Sequence, residues 1–484
     1  MRRSVPRVLL LMAGSVLVPG MAHFAAGRRR SGLAIGAAAF GLLVGVLVYL
    51  HGTSRREIMR QLVRPGPLAW VAATALLVAL VWMALVVSSY LVLRPIRAGT
   101  AGRAAVSTTA TLLCVLVAIP PLVAARYAFV QRSLILDVFP DSGGLAEGTA
   151  GQPTGGDPWA GRVRLNVLLV ASDAGPDRTG VRTDSLVLTS IDVHTGNVIM
   201  FSLPRNLQHV PLPAGPLRDT WPNGFPDLLN SVYQHVAEHP ALLAGARDRG
   251  AEAVKRVVGG ILGLHVDYYA MANLEGFQEF VNALGGVTLT VQHRLPIGGI
   301  LADGSYVPPI GHIEPGRQKL DGYHALWYAR SRRDSSDYAR IDRQRCLIGA
   351  MVRQANPANV LKNFQKLASA TKKLLSTDIP RGLLANLVDL ADKVRTDGQI
   401  RSLPFVPPLI NTGSPNFTLI RTSVRRALAA ESAPPATPRP SATPQPTAPN
   451  GSGGSGAGRS GSAVTAGQPR PTTAQVVDDV CNLG

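Results

Sequence analysis

The sequence predicts an α/β domain, a mixed central sheet sandwiched by helices, preceded by a multi-span α-helical membrane region. Three observations carry that expectation. Uncharged apolar blocks fill the first quarter of the chain. From residue 162 to about 428, strand-like and helix-like segments alternate, with several tight turns. A Pro/Ser/Gly-rich stretch at 429–472 then separates this domain from a short tail at 473–484.

The apolar blocks at 32–50, 68–93 and 104–125 contain no charged side chain. Each is long enough to cross roughly 30 Å of hydrocarbon as a helix. A fourth block, 8–24 within an N-terminal segment of residues 1–31, is broken by Pro19-Gly20 and reads as a span, a re-entrant hairpin or an interfacial segment. No small-residue cleavage site precedes a soluble domain, so it does not read as a signal peptide. If Arg28, Arg29 and Arg30 are cytoplasmic, three spans place everything after residue 126 outside. Arg55, Arg56, Arg60 and Arg64 would then lie outside as well, against the positive-inside trend. Charge counting leaves the side undecided. Residues 126–161, rich in Gly, Pro and Asp from 141 on, are expected to be a linker.

The domain at 162–428 opens on VRLNVLLVASD (163–173), an apolar run typical of a buried strand that ends in Asp173. A Gly/Pro/Asp loop delivers Arg182 and Asp184 to a second strand at 185–193. A tight turn, His194-Thr195-Gly196-Asn197, returns the chain along a third strand that ends at Arg205. Asp173, Arg182, Asp184 and Arg205 should therefore gather at one sheet edge. Such a set reads either as a salt-bridge cluster or as a hard-oxygen site suited to Mg²⁺ beside cations for a phosphate. A helix at 274–284 places Leu274, Phe277, Phe280, Val281 and Leu284 on one face, which suits plain core or the wall of a lipid groove.

In LWYARSRRDSSDYARIDRQR (326–345) every cation is Arg and every anion Asp. Arg offers a planar fork of donors that matches phosphate and carboxylate oxygens two at a time. Arg340, Arg343, Gln344 and Leu347 share a helical face by their spacing, while Arg330 and Arg332 precede the polar break Asp334-Ser335-Ser336-Asp337. A surface ion-pair network and a phosphate or diphosphate site both suit this pattern.

The 484 residues carry a net charge of +19 with 16% charged side chains. The excess is nearly all Arg and is spread along the chain, which fits membrane flanking and an anionic ligand and argues against nucleic acid as a partner. Cys114 lies inside an apolar block; Cys346 and Cys481 are the two cysteines outside. They read as a disulfide if this part is exported, and otherwise as two unrelated thiols.

The segments NVLLVASD, RTDSLVLTSID, FSLPR, LLNSVY, HVDYYA to LGGV, LDGYHALWYARSR and DYARIDRQR come in one order across residues 163–355. Together they resemble the LytR-CpsA-Psr family of cell-wall glycopolymer transferases. The resemblance implies a membrane-anchored enzyme with its catalytic domain outside the cytoplasm. Its reaction would move a glycan from a polyprenyl-diphosphate carrier onto a hydroxyl of peptidoglycan or a similar wall polymer, through a phosphodiester and with Mg²⁺. Residue by residue, it implies that Asp173 and Asp184 hold the metal. Arg182, Arg205, Arg330, Arg332, Arg343 and Gln344 would hold the diphosphate, and Asp337 and Arg340 would line the site. Arg330 and Arg340 are the expected charge-stabilising groups, and Asp337 or Asp334 is the expected proton acceptor. The polyprenyl tail would lie between sheet and helices, near Phe277 and Phe280.

Three positions depart from the family pattern. Gly175 follows Ala174 where the SDxR opening has its Arg, Asn206 stands where an acid follows Arg205, and Leu228-Leu229 replace the base before Asn230. These changes point to altered rate or substrate, since the metal and diphosphate ligands remain. The shortage of Lys beside abundant Arg, Ala and Gly points to a high-GC genome, and the resemblance is to the actinobacterial type of the family. A non-catalytic binder of lipid-linked wall polymer and a lipid diphosphate phosphatase are the competing readings.

Overall fold

The computed structural model describes residues 4–94, 99–141, 158–159, 161–173, 181–298, 308–332, 336–355, 375–432 and 473–481. Asp334 and residues 433–472 of the expected 429–472 linker lie outside them, as does the side chain of Asp337, while residues 429–432 continue the helix Phe417–Ser432.

The N-terminal region is helical: α1 (Val5–Leu17), α2 (Met21–Ala25), α3 (Arg29–Gly52), α4 (Arg55–Leu62), α5 (Pro65–Leu93) and α6 (Thr100–Val138). Helices α3, α5 and α6 are long and apolar enough to cross a membrane. At 13 residues, α1 is too short to do so. The chain turns at Gly20, whose φ of 94° is in the left-handed region, and α2 leads back toward α3. Val8 and Met12 of α1 bury against Leu93 and Val106, where α5 ends and α6 begins. The 8–24 block is thus a broken helical hairpin packed on the ends of its neighbours.

One boundary is corrected. The expected linker starts at residue 126, but α6 continues to Val138. Arg126 ends the uncharged run, yet Ala128 and Ile135 still pack on Leu68 of α5, and Gln131 Nε2 donates to the Leu62 carbonyl at 2.6 Å. Tertiary contacts carry the helix on.

The remaining elements are β1 (Arg164–Ser172), β2 (Thr183–Asp192), β3 (Val198–Leu203), α7 (Pro216–Thr220), α8 (Val232–Glu238), α9 (Arg249–Leu262), β4 (Tyr268–Ala272), α10 (Leu274–Leu284), β5 (Val287–Val291), β6 (Leu295–Ile297), β7 (Gly311–Ile313) and β8 (Gly316–Leu320). After them come α11 (Gly322–Arg330), α12 (Asp337–Gln354), β9 (Leu375–Thr377), α13 (Leu384–Thr396), β10 (Ile400–Pro404), α14 (Phe417–Ser432), β11 (Gln475–Val476) and α15 (Val477–Cys481). The main sheet has the order β11-β10-β3-β2-β1-β4-β9. It is mixed: β1 runs parallel to β4 and β3 to β10, while the other neighbours are antiparallel.

Side chains alternate across this sheet as a two-residue period requires. Leu168, Leu186, Leu188, Ile199 and Phe201 face α9 and α14, meeting Val254, Val258, Ile420 and Val424. Val167, Val187 and Met200 face the opposite layer, with Leu390 and Val394 of α13. Helices therefore cover both faces, as expected.

The tail is more than an appendage. Val476 pairs with Arg401, making β11 an edge strand of the sheet, and Cys481 is bonded to Cys346 of α12 with Cα atoms 5.5 Å apart. Arg353 Nη2 also donates to Asp478 at 2.6 Å. A two-residue strand is too short to show a period, so the sequence gives only the cysteine as a sign of it.

Candidate active site

Strands β1, β2 and β3, the middle three of the sheet, bring the expected residues to one end of the strands. Ala171 pairs with Ser185 and Ser172 with Thr183, so Asp184 is the extra residue of a β-bulge. A bulge re-aims the side chain it carries. Here the Asp184 carboxylate meets Arg205, whose Nη1 lies 2.6 Å from Oδ1. Asp173, buried just past β1, accepts the Arg182 backbone N–H at 2.8 Å, which ties the two strand ends together. The Arg182 side chain lies exposed beside them.

The Arg-rich stretch is split between two helices. Asp321 caps α11 by accepting the His324 N–H at 2.9 Å, and Ser336 caps α12 by accepting that of Ala339 at 3.1 Å. The polar break at 334–337 thus ends as a helix start. Gly322 lets α11 approach α10 closely, because a Cβ there would collide with the Gln278 backbone. Arg330 closes α11, with its guanidinium carbon 5.4 Å from the centre of the Trp327 ring. From α12, Arg340 Nη1 donates to the Asp184 carbonyl at 3.0 Å, and the Gln344 Oε1 accepts the Ser185 hydroxyl at 3.1 Å. Gln344 Nε2 reaches the Ala329 carbonyl at 3.3 Å, linking α12 to the end of α11.

Arg343 has a different setting from the one its spacing implies. Its Nε donates to the Tyr328 carbonyl at 2.8 Å and its Nη2 to the Ser331 carbonyl, so it occupies the C-terminal carbonyls of α11. Burial holds its pKa below the usual Arg range, and burial also pushes the neighbouring Tyr328 hydroxyl up to about 12. Both groups keep their ordinary charge at neutral pH. Arg345 is likewise turned away, 3.5 Å from Asp342. The stretch is therefore part ion-pair and carbonyl scaffold and part cavity wall.

That cavity has a volume of about 440 Å³. Asp184, Ser185, Arg205, Arg330, Arg332, Arg340 and Gln344 contribute to it, whereas Asp173, Arg182 and Arg343 do not reach its lining. The rest of its wall is largely apolar, with Leu169, Val187, Met271, Leu274, Phe277, Phe280, Trp327, Leu347 and Met351. The Phe277/Phe280 stripe thus faces a groove as well as core. Its floor follows one row of cross-strand neighbours: Ser185 on β2, Ala171 on β1, Ala272 on β4 and Leu375 on β9. Three strand spacings of roughly 4.8 Å make this row about 14 Å long. It is charged at the β2 end and apolar at the β9 end. Ser185 and Trp327 are additions to the expected set, and only their nearness to Asp184 and Arg330 in sequence marks them.

Of the three departing positions, Asn206 Nδ2 lies 3.4 Å from Thr412 Oγ1 and the Leu229 N–H donates to the Leu207 carbonyl at 2.9 Å, while Gly175 lies outside the described residues. Among the described residues no three His, Cys, Asp or Glu side chains converge as a metal cage.

A model of the LytR_cpsA_psr family matches residues 154–406. Biofilm regulatory protein A of Streptococcus mutans is 29% identical over 235 residues, covering 47% of this chain and 53% of that protein. The polyisoprenyl-teichoic acid–peptidoglycan teichoic acid transferase TagU of Oceanobacillus iheyensis is 26% identical over 226 residues, covering 46% of this chain and 62% of that one. The crystal structure of B. subtilis TagV is 22% identical and covers 56% of this chain and 98% of its own, with a TM-score of 0.38. The chain spans between half and two thirds of the length of these two curated relatives.

Proposed function

This chain belongs to the LytR-CpsA-Psr family, and from that premise we propose that it is a membrane-anchored phosphotransferase. It would transfer a glycopolymer from a polyprenyl-diphosphate carrier to a hydroxyl of peptidoglycan or a similar wall polymer. One observation carries this reading: the cavity is amphiphilic in the manner of a lipid diphosphate. Asp184, Arg205, Arg330, Arg332, Arg340 and Gln344 meet at one end, and apolar side chains line the remainder. A soluble sugar phosphate would have no use for the apolar part, and a plain lipid none for the arginines.

In the proposed reaction the acceptor oxygen attacks the glycan-side phosphorus. The bond from that phosphorus to the bridging oxygen breaks, and polyprenyl phosphate leaves with the bond's electron pair. The acceptor's proton passes to a carboxylate, for which Asp337 at the start of α12 is the proposed group. Arg205, Arg330 and Arg332 would hold the phosphate oxygens, so that positioning and charge neutralisation supply most of the rate. The burial of Arg340 and its bond to the Asp184 carbonyl fix the bulge that aims Asp184.

The donor set suits Mg²⁺. Asp173 just past the end of β1 and Asp184 near the start of β2 lie on adjacent strands, Asp184 on the cavity wall and Asp173 buried outside its lining, and one or two carboxylates completed by substrate phosphate and water are a common magnesium arrangement. They would hold the ion, which would neutralise charge on the diphosphate. Chelating Mg²⁺, or Asp184→Asn, is expected to cut turnover roughly a hundredfold or more, equivalent to the few kcal/mol a catalytic metal supplies. Turnover unchanged by both treatments would rule out the metal and leave the arginines as the sole charge-stabilising groups.

The placement outside the cytoplasm has support from within the chain. Helix α4 and the catalytic domain are separated by two candidate spans, α5 and α6, so they share a side. Arg60 Nε lies 2.7 Å from Asp389 of α13, and Arg56 Nε 3.5 Å from Asp392. Two of the four arginines that offend the positive-inside rule, Arg56 and Arg60, thus have partners on the domain. Arg28, Arg29 and Arg30 fall on the opposite side, where the rule wants them. A membrane-impermeant thiol reagent applied to intact cells should label Arg56→Cys but not Arg29→Cys, in a Cys114→Ala background. The reverse pattern would invert the topology.

A further inference from the structure

Several membrane helices are more than an anchor needs, and the cavity offers a use for one of them. Its apolar end is closed partly by Val138 and Phe139, at the C-terminal end of α6. Val138 and Leu134 are buried with Leu375, the last residue in the row that forms the cavity floor. Val130, Leu134 and Val138 recur every four residues, so one apolar stripe of α6 leads from near Arg126 to this wall. From Arg126 to Val138 the helix rises about 18 Å, enough to cross the headgroup layer.

Neighbouring contacts hold the end of α6 in place. The Arg381 N–H donates to the Pro140 carbonyl at 2.9 Å, Arg381 Nε lies 2.8 Å from Asp141, and Arg247 Nη2 donates to the Asp137 carbonyl at 3.0 Å. The helix is thus tied to the domain from two sides. A cavity of about 440 Å³ is of the size that encloses a drug-sized ligand, so a long polyprenyl chain must continue beyond it. The charged end is occupied by the diphosphate in the proposed reading. The remaining direction for the chain is the apolar end, where α6 stands.

We propose that the last turns of α6, through Leu134, Val138 and Phe139, form the membrane-side wall of the lipid cavity and guide the donor's polyprenyl chain between bilayer and site. The proposal rests on the lipid-diphosphate reading above, and it gives the third membrane helix a substrate-binding role. A mechanical anchor would need no contact with the cavity.

The test uses the full chain in lipid nanodiscs, with a photo-crosslinking amino acid in place of Phe139 and a long-chain polyprenyl diphosphate as probe. Labelling of the lipid at position 139, competed by unlabelled long-chain lipid, is the expected result. If the lipid binds but position 139 is never labelled, the guiding role of α6 is overturned while the lipid reading stands. If no polyprenyl diphosphate binds at all, both fall together. A second measurement guards against a crosslinker that misses. Phe139→Asp puts a charge in the apolar wall and should lower the ratio of kcat/KM for long-chain over farnesyl-length donors about tenfold. A ratio that does not move contradicts the proposal.

Discussion

Arg330→Ala is expected to lower turnover of the lipid-linked donor roughly a hundred- to thousandfold, the usual cost of removing one preorganised donor from developing charge. The residue sits where α11 ends beside the cavity, and its guanidinium lies over the Trp327 ring. That stacking holds the planar fork at the cavity wall. Arg330→Lys should recover little, because an ammonium cannot grip two phosphate oxygens in one plane. The fold should tolerate the change, since the C-terminal carbonyls of α11 are served by Arg343. Steady-state kinetics together with a melting curve would check this. A variant with normal melting and normal turnover would remove Arg330 from the site.

Cys481→Ser is expected to destabilise the domain by about 2–4 kcal/mol, and simple chain-entropy arithmetic for so long a loop gives roughly 5 kcal/mol as an upper figure. The bond joins residues 135 apart in sequence and fastens α15 to α12. Its loss should free β11 from β10, since two paired residues cannot hold a strand alone. The effect should reach the site, because Cys346 lies on the helix that carries Arg340 and Gln344. Thermal melts of the variant and of the reduced wild type should coincide, both well below the oxidised protein. An unchanged melting temperature would mean that the ion pair of Arg353 with Asp478 and the burial of Val477 suffice.

Much of the fold was legible because its strands are apolar runs ended by chemistry-bearing residues. The run ending at Asp173, the turn at His194–Asn197 and the return to Arg205 place the ends of the first and third strands beside the start of the second. What escaped depends on a second element. The bulge at Asp184 is a property of the register between β1 and β2, so neither strand alone contains it. Arg343 shares a helical face with Arg340 and Gln344, yet spacing cannot reveal that the end of α11 presents its carbonyls to that arginine first. The extension of α6 beyond residue 125 is invisible to a hydropathy window, because it is held by α5 and the Leu62 carbonyl. The Arg-rich stretch announced its chemistry but not the division of labour within it.

Transfer of the glycan from lipid diphosphate to an acceptor leaves two phosphorus-containing products in fixed ratio. The direct measurement supplies the full chain, in lipid and with Mg²⁺, with a polyprenyl-diphosphate-linked glycan and peptidoglycan, and identifies every phosphorus-containing product by mass. Polyprenyl monophosphate and a glycan joined to the acceptor through a phosphodiester should appear in equal amounts. Donor that stays bound and intact would make the protein a capture device, and glycan phosphate released without any acceptor adduct would make it a phosphatase; either result would exclude a transferase.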